Sequence, residues 1–428
     1  MFLLFENIAV GLTLLFLCTD GFGFLFRRPV DAAPEGGDVA EIAIQCLIYG
    51  LVCVCIHRYW KRVCDASTSI KLVMALPFLA LLSTVWSEFP AATFRRSLIL
   101  LATTLFGIYF GTRFQLRRQV AFLAIVLGIT AVMSLFCVVL LPSFGITADG
   151  LHDGDWQGIF DTKNGLARAM ALSCVVFMML PGENRVLRSF GLLASAALVF
   201  AAGSVTGITV AATLIVAYLA LRATRRGMTL PALVGLTIVL TCLCVICWVG
   251  LDVQTVSAVV GRDATLTGRD ELWAAVLAAI SRRPWLGDGY SAVWWQAHSA
   301  VGAFIVQQVG WATPHSHNGL LDLTLDLGVV GAILFLAGYF KYIGKGIAAS
   351  RLVGSKEELW PLLYLLFLFC YNLDESSLLR INAIFWVLYV SAAVSLSLRP
   401  RSIPGKSGIA VISAVDEVEL SPSAISKR

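Results

Sequence analysis

The chain has 428 residues, of which 58% are hydrophobic and 14% charged, and its mean hydropathy is +0.83. An apolar excess of this size cannot be hidden inside one water-facing globule, whose surface must be covered with polar groups, so lipid is the solvent that fits. The net charge of +5 is spread in short basic clusters between apolar runs, which argues against a nucleic-acid-binding module.

Apolar runs long enough, or nearly so, to cross a hydrocarbon core fall at 4–25, 39–56, 70–86, 97–112, 119–142, 166–181, 187–204, 205–221, 229–250, 322–342, 359–376 and 379–397. The reading is all-α: a polytopic transmembrane helical bundle of about 12 spans, with a long, partly helical loop at 251–321. The weakest boundary is the short connection from Gly203 to Gly207. The first run has no preceding basic region and no small-residue cleavage site, so a retained span is expected rather than a cleaved signal. Residues 1–398 form the membrane domain, and 399–428, with Pro404, Gly405 and scattered Ser, read as a disordered cytoplasmic tail. Most of the 11 cysteines lie in apolar runs, and none falls between 251 and 321, so a disulfide-stapled external domain is not indicated. Cys242, Cys244 and Cys247 read as small apolar side chains in lipid rather than as metal ligands.

Basic clusters set the expected orientation. His57 to Arg62, Arg113 with Arg117 and Arg118, Arg185 with Arg188, Arg222 with Arg225 and Arg226, and Lys341 to Lys356 fall on one side, the cytoplasmic one, together with both termini. The opposite, periplasmic side receives Trp86 to Pro90, residues 142–163, the loop 251–321 and Asn372 to Glu375. Arg95, Arg96, Lys163 and Arg380 run against this trend at the external ends of spans. Interfacial snorkelling accounts for any one of them; several facing one compartment favour an anion site.

Within the long loop, Thr267-Gly268-Arg269-Asp270 has the spacing of a capped helix start, and Leu272, Trp273, Val276, Leu277 and Ile280 are expected on one face of a helix that stops before Pro284. Such a helix lies on the outer leaflet or caps the bundle. Asp288, in the turn Gly287-Asp288-Gly289, either closes its own turn or projects into a site. Trp294 and Trp295 serve as an interfacial belt or as a platform for a sugar ring. Thr313-Pro314-His315-Ser316-His317-Asn318-Gly319 stands immediately before an apolar run. A neutral imidazole there can take a proton from an attacking hydroxyl, or can simply cap a helix. Two histidines alone do not complete a metal site.

The stretch from His317 and Asn318 to Gly328 and Gly331 resembles the hallmark of the O-antigen ligase and polysaccharide polymerase superfamily, and most closely its exopolysaccharide (succinoglycan-type) polymerase branch. Trp86 to Pro90 with Arg95 and Arg96, Gly158 to Asn164, Gly268 to Trp273, and Arg283 to Gly289 extend the resemblance in the same order. It implies transfer of a glycan from an undecaprenyl diphosphate-linked donor to an acceptor hydroxyl at the periplasmic face of a bacterial inner membrane, without cofactor, nucleotide sugar or metal. The acceptor is another lipid-linked repeat unit in a polymerase and a lipopolysaccharide core sugar in a ligase. Export and chain-length-control proteins are further partners of such a polymerase. His317, Arg269, Arg262 and Asp288 are the expected catalytic residues, and Arg96, Lys163, Asn164, Arg95, Asn318, Arg283 and Trp295 the expected substrate-binding ones. Guanidinium groups suit diphosphate oxygens through charge-assisted, bidentate hydrogen bonds. A transporter or flippase is the competing class; it calls for polar groups near the bilayer midplane and halved repeats, and Asp20 and Asp326 are the nearest candidates.

Overall fold

The computed structural model describes residues 1–25, 39–147, 154–182, 184–230, 234–239, 268–294, 299–351 and 354–398. Arg262, Thr267, Trp295, the Cys242 to Cys247 cluster and the tail 399–428 lie outside the described residues. Each predicted apolar run is a helix except 229–250, which is largely outside them too. In chain order these are α1 (Phe2–Cys18), α2 (Val39–Arg58), α3 (Trp60–Ser69), α4 (Lys71–Leu82), α5 (Pro90–Arg113), α6 (Leu116–Leu140), α7 (Lys163–Met179), α8 (Arg185–Ala201) and α9 (Val205–Arg225). They are followed by α10 (Arg269–Arg282), α11 (Ala300–Val309), α12 (Gly319–Ser350), α13 (Trp360–Asn372) and α14 (Ile384–Ser397). By length and composition 5 of them can cross a membrane, or 6 if the bent pair of α3 and the helix after it counts as one. The protein is an all-helical, multi-pass membrane protein.

Polar contacts divide the bundle into two ends. At one, the start of α5 meets the loop after α10, with Thr93 Oγ1 donating to the Tyr290 carbonyl at 3.2 Å. At the other, Arg113 closes α5 with a fork onto Glu6 at 3.0 and 3.1 Å, and Tyr109 donates to the same carboxylate at 2.5 Å. Glu6 is 0% exposed, so this pairing supplies partners for a carboxyl group inside the bundle. Between the ends, Gly107 and Gly111 let α5 lie against α14: a Cβ on Gly107 would meet Val390 Cβ at 2.8 Å, and one on Gly111 the Ser391 carbonyl at 2.9 Å. Without a hydrophobic drive in lipid, such close van der Waals approach is what holds spans together.

The stretch 251–321 departs from expectation in two ways; the helix start expected to be capped by Thr267 has that residue outside the described ones. Leu277 is 54% exposed, and the buried face of α10 consists of Leu272, Ala275, Val276 and Ala279. That face packs with Val293 and Ile305 against Leu325, so α10 and the unpredicted α11 cap the start of α12. The basic stretch from His57 to Arg62, read as a simple connection, is the end of α2 running into α3, and α3 meets the next helix at 98°.

α12 is broken at Gly328, where φ is 66° and ψ −173°. The loop after α10 inserts into the break: Val329 N donates to the Pro284 carbonyl at 2.8 Å, and Asp288 N and Gly289 N donate to Leu325 and Asp326 carbonyls at 3.0 Å each. The backbone groups freed by the break are thus re-satisfied by another segment, which the interior of a membrane protein requires. Only glycine visits that backbone region at low cost, and a Cβ there would run into the carbonyl of Trp285. Gly328→Ala is therefore expected to cost upwards of about 3 kcal/mol, read as lost yield and a lowered Tm of the purified protein; an unchanged Tm would show that the loop does not need this approach.

Candidate active site

The site grows out of the turn before α12. His317 sits at φ 56°, a left-handed conformation that histidine enters only when its surroundings hold it there. Those surroundings are explicit. Asn318 caps α12 by accepting from Leu320 N and Leu321 N, each at 3.1 Å, and donates its amide to the Leu373 carbonyl at 3.3 Å. Trp273 Nε1 of α10 donates to the Ser316 carbonyl at 2.9 Å, and Asp322 accepts from Ser316 N at 3.0 Å. The Thr313 hydroxyl donates to the His315 carbonyl at 2.6 Å.

The two imidazoles, 4.3 Å apart between ring centres, share one carboxylate. Glu375, from the loop after α13, places Oε1 3.5 Å from His317 Nδ1 and Oε2 3.8 Å from His315 Nε2. Asn164, at the start of α7, donates its amide to Glu375 Oε1 at 2.6 Å, and Tyr371 donates to the Asn164 carbonyl at 2.8 Å. Arg269 opens α10 and pairs with Asp374, whose other oxygen accepts from Thr206 at the start of α9. Five separated segments therefore meet at Asp374 and Glu375.

The protonation states follow. His315 Nδ1 accepts from His317 N at 3.2 Å, so its proton belongs on Nε2 and the ring is neutral. Burial pushes this imidazole down to about 3, reinforced by His317 and opposed by Glu375. For Glu375, burial alone would raise the carboxyl; the adjacent His317 and the positive charge of Arg269 overcome it and hold it down to about 2. Burial pulls Arg269 below its ordinary range against the pull of Glu375. The geometry thus sets the Glu375 carboxylate 3.5 Å from His317 Nδ1. His317 and Arg269 side chains keep 22% exposure each, enough for contact from outside.

One donor atom from each of His315, His317 and Glu375 lies within 4.8 Å of the others, so these residues could also hold a cation. Against that use, His315 Nδ1 is occupied by a backbone N–H, Asn164 already donates to the carboxylate, and Arg269 adds a positive charge nearby.

Of the residues expected from the sequence, His317, Asn318, Asn164 and Arg269 converge here. Arg262 and Trp295 lie outside the described residues, and Arg96, Lys163, Arg95, Arg283 and Asp288 have other surroundings. Arg96 donates to the Ser291 carbonyl, and Ser291 N to Asp326 at 2.9 Å, so Arg96 holds the loop that fills the break in α12. Lys163 pairs with Asp155 at 2.6 Å, and Arg95 is exposed. Asp288 pairs with Arg283 at 3.6 Å and lines a cavity of about 340 Å³ with Trp86, Glu88 and Arg282. Neither Asp20 nor Asp326 is at mid-bundle: Asp20 follows α1 and faces Arg168 at 3.7 Å, and Asp326 lies within two turns of the start of α12. Glu375, Asp374 and Arg168 were not singled out. Adjacent carboxylates between the last two apolar runs, and an arginine inside an apolar run, were the available signals.

Both His315 and Glu375 have folded values below their ordinary 6.5 and 4.5, so the unfolded chain binds more protons as pH falls through those values. Their contribution to stability is full above about pH 6.5 and drains away on acidification toward 3. Thermal melts of the purified protein are expected to fall over that window and to fall less steeply in His315→Gln; parallel pH profiles would show that the pair is not the acid-sensitive element.

Residues 190–336 match the family model described as O-antigen ligase, a span that includes Arg269, His315 and His317 and ends before Glu375. The chain is also 34% identical over 79 residues to the exopolysaccharide production protein ExoQ of Rhizobium meliloti (strain 1021), a stretch covering 17% of this chain and 18% of that protein. Over residues 190–336 the chain is therefore similar to the O-antigen ligase family, which bears out the resemblance carried by its motifs.

Proposed function

We propose that this protein is an exopolysaccharide polymerase that moves a glycan from an undecaprenyl diphosphate-linked donor to a hydroxyl of a lipid-linked repeat unit, at the periplasmic face of a bacterial inner membrane. The observation that carries this reading is the Glu375 carboxylate set against His317 Nδ1, with Arg269 within electrostatic reach. The acceptor oxygen attacks the anomeric carbon as the bond from that carbon to the diphosphate oxygen breaks. The hydroxyl proton passes to His317 Nε2, and the electron pair leaves with undecaprenyl diphosphate. A single displacement of this kind inverts the anomeric centre. Glu375 fixes the imidazole orientation and stabilises the imidazolium as it forms.

Arg269 stabilises charge growing on the departing diphosphate, and Asp374 holds the guanidinium in place from behind. Arg262, outside the described residues, is a second candidate for that role. Lys163 and Arg96 already have protein acceptors, so they support the site's walls in this reading. The orientation is supported by the far end of the bundle, where Arg58, Arg113, Arg118, Arg188, Arg225 and Lys345 collect, as cytoplasmic ends do. Companion export and chain-length-control proteins complete the expected system.

Transfer to a lipopolysaccharide core is the second reading, favoured by the description of the matching family. Membranes supplied with a defined lipid-linked repeat unit, with and without core acceptor, separate the two: elongated glycan marks the polymerase, and product that forms only on core marks the ligase. In that assay His317→Ala is expected to abolish transfer, and Glu375→Gln, which keeps shape but not charge, to lower kcat by about 100-fold or more. Full activity of both variants would remove the proposed base and its partner. Arg269→Gln is expected to weaken use of the diphosphate donor by a factor of about 10 to 1000 without altering acceptor choice; unaltered donor kinetics would leave Arg269 a packing role.

A further inference from the structure

A basic feature lies at the end opposite His317 and has no part in the reaction above. His57, Arg58, Tyr59, Trp60, Lys61 and Arg62 line a cavity of about 580 Å³ where α2 turns into α3. Arg58 and Arg62 rest over the rings of Phe2 and Tyr59 at 4.8 and 5.9 Å, and Arg113 lies over Tyr59 at 5.1 Å. Among the described residues none of Arg58, Lys61 and Arg62 is paired with a carboxylate. Arg113, by contrast, is neutralised by Glu6. Three cations are therefore gathered around one opening without a carboxylate partner among the described residues.

The surrounding geometry indicates what supplies that counter-charge. α3 meets the next helix at 98°, so when that helix stands across the bilayer α3 lies along its surface. α3 buries Val63 and Ala66 and exposes Lys61, Arg62 and Asp65, with Trp60 52% exposed at its start. A basic amphipathic helix with a leading tryptophan is the form that rests among headgroups. Beside it, α2 is the least covered of the long apolar helices, with 22% of its most apolar stretch buried and Leu47 and Val54 65% and 53% exposed. A headgroup held at the opening would have its acyl chains alongside that face.

We propose that the cavity between α2 and α3 binds the phosphate of an anionic membrane lipid, held by Arg58, Lys61 and Arg62, in the leaflet opposite the active site. Guanidinium and ammonium groups clustered at a membrane surface attract anionic headgroups at about 1 kcal/mol per residue, and guanidinium adds bidentate contact with phosphate oxygens. The site is independent of the polymerase reading.

Binding of short-chain phosphatidylglycerol to the purified full-length protein in detergent, measured by native mass spectrometry against phosphatidylcholine and inorganic phosphate, tests it. Phosphatidylglycerol is expected to bind at least about 10-fold more tightly than phosphatidylcholine. The triple variant Arg58→Gln/Lys61→Gln/Arg62→Gln should lose that preference, while Arg58→Lys/Arg62→Lys and the same-end control Arg117→Gln/Arg118→Gln should keep it. Equal binding of the two lipids by the unaltered protein, or loss of the preference in the Arg117/Arg118 control as well, would overturn the assignment. Displacement of phosphatidylglycerol by millimolar inorganic phosphate would overturn the lipid as the source and leave free phosphate as the ligand.

Discussion

The site depends on keeping one carboxylate ionised while 8% of its side chain remains exposed. A buried anion survives only where hydrogen bonds and opposite charge repay its lost hydration. Glu375 obtains these from Asn164 on α7, His315 and His317 before α12, and Arg269 on α10. No single stretch of chain could deliver all of them. The carboxylate thereby dictates that α7, α10 and the loops before α12 and after α13 converge, and the convergence in turn fixes the direction of the His317 ring.

The same logic recurs without charge at the break in α12. A helix interrupted in a bundle leaves N–H and C=O groups that lipid cannot satisfy. Here the loop after α10 provides the missing partners, and Arg96, Thr93 and Ser83 clamp that loop in turn, Ser83 Oγ accepting from Tyr290 N at 2.9 Å. The break and the turn carrying His317 lie within one helix of each other along the chain, so the loop that repairs the backbone also steadies that turn. Tyr290, buried and donating to the Leu379 carbonyl, carries that support through to the loop before α14.

Spans were legible in the sequence because hydropathy reports transfer into lipid, and lipid contact is local. α11 was not, since Ala300 to Val309 is a short apolar run whose helix is stabilised by packing on α10. His317 and Asn318 were legible through a turn placed just before an apolar run, and Asn164 and Arg269 through the motif resemblance. Glu375 was missed because its role lies in three-dimensional convergence: in the sequence it is one acid in a short polar connection. For Asp288 and Arg283, nearness in a motif likewise does not reveal that they pair with each other and line a cavity with Glu88.

α1 is tied at both ends by arginines from much later in the chain. Arg113, 107 residues on, holds Glu6, and Arg168 faces Asp20 at 3.7 Å. Both partners belong to helices that follow much later in the chain, so the fixing of α1 in the bundle is complete only once α5 and α7 have joined it.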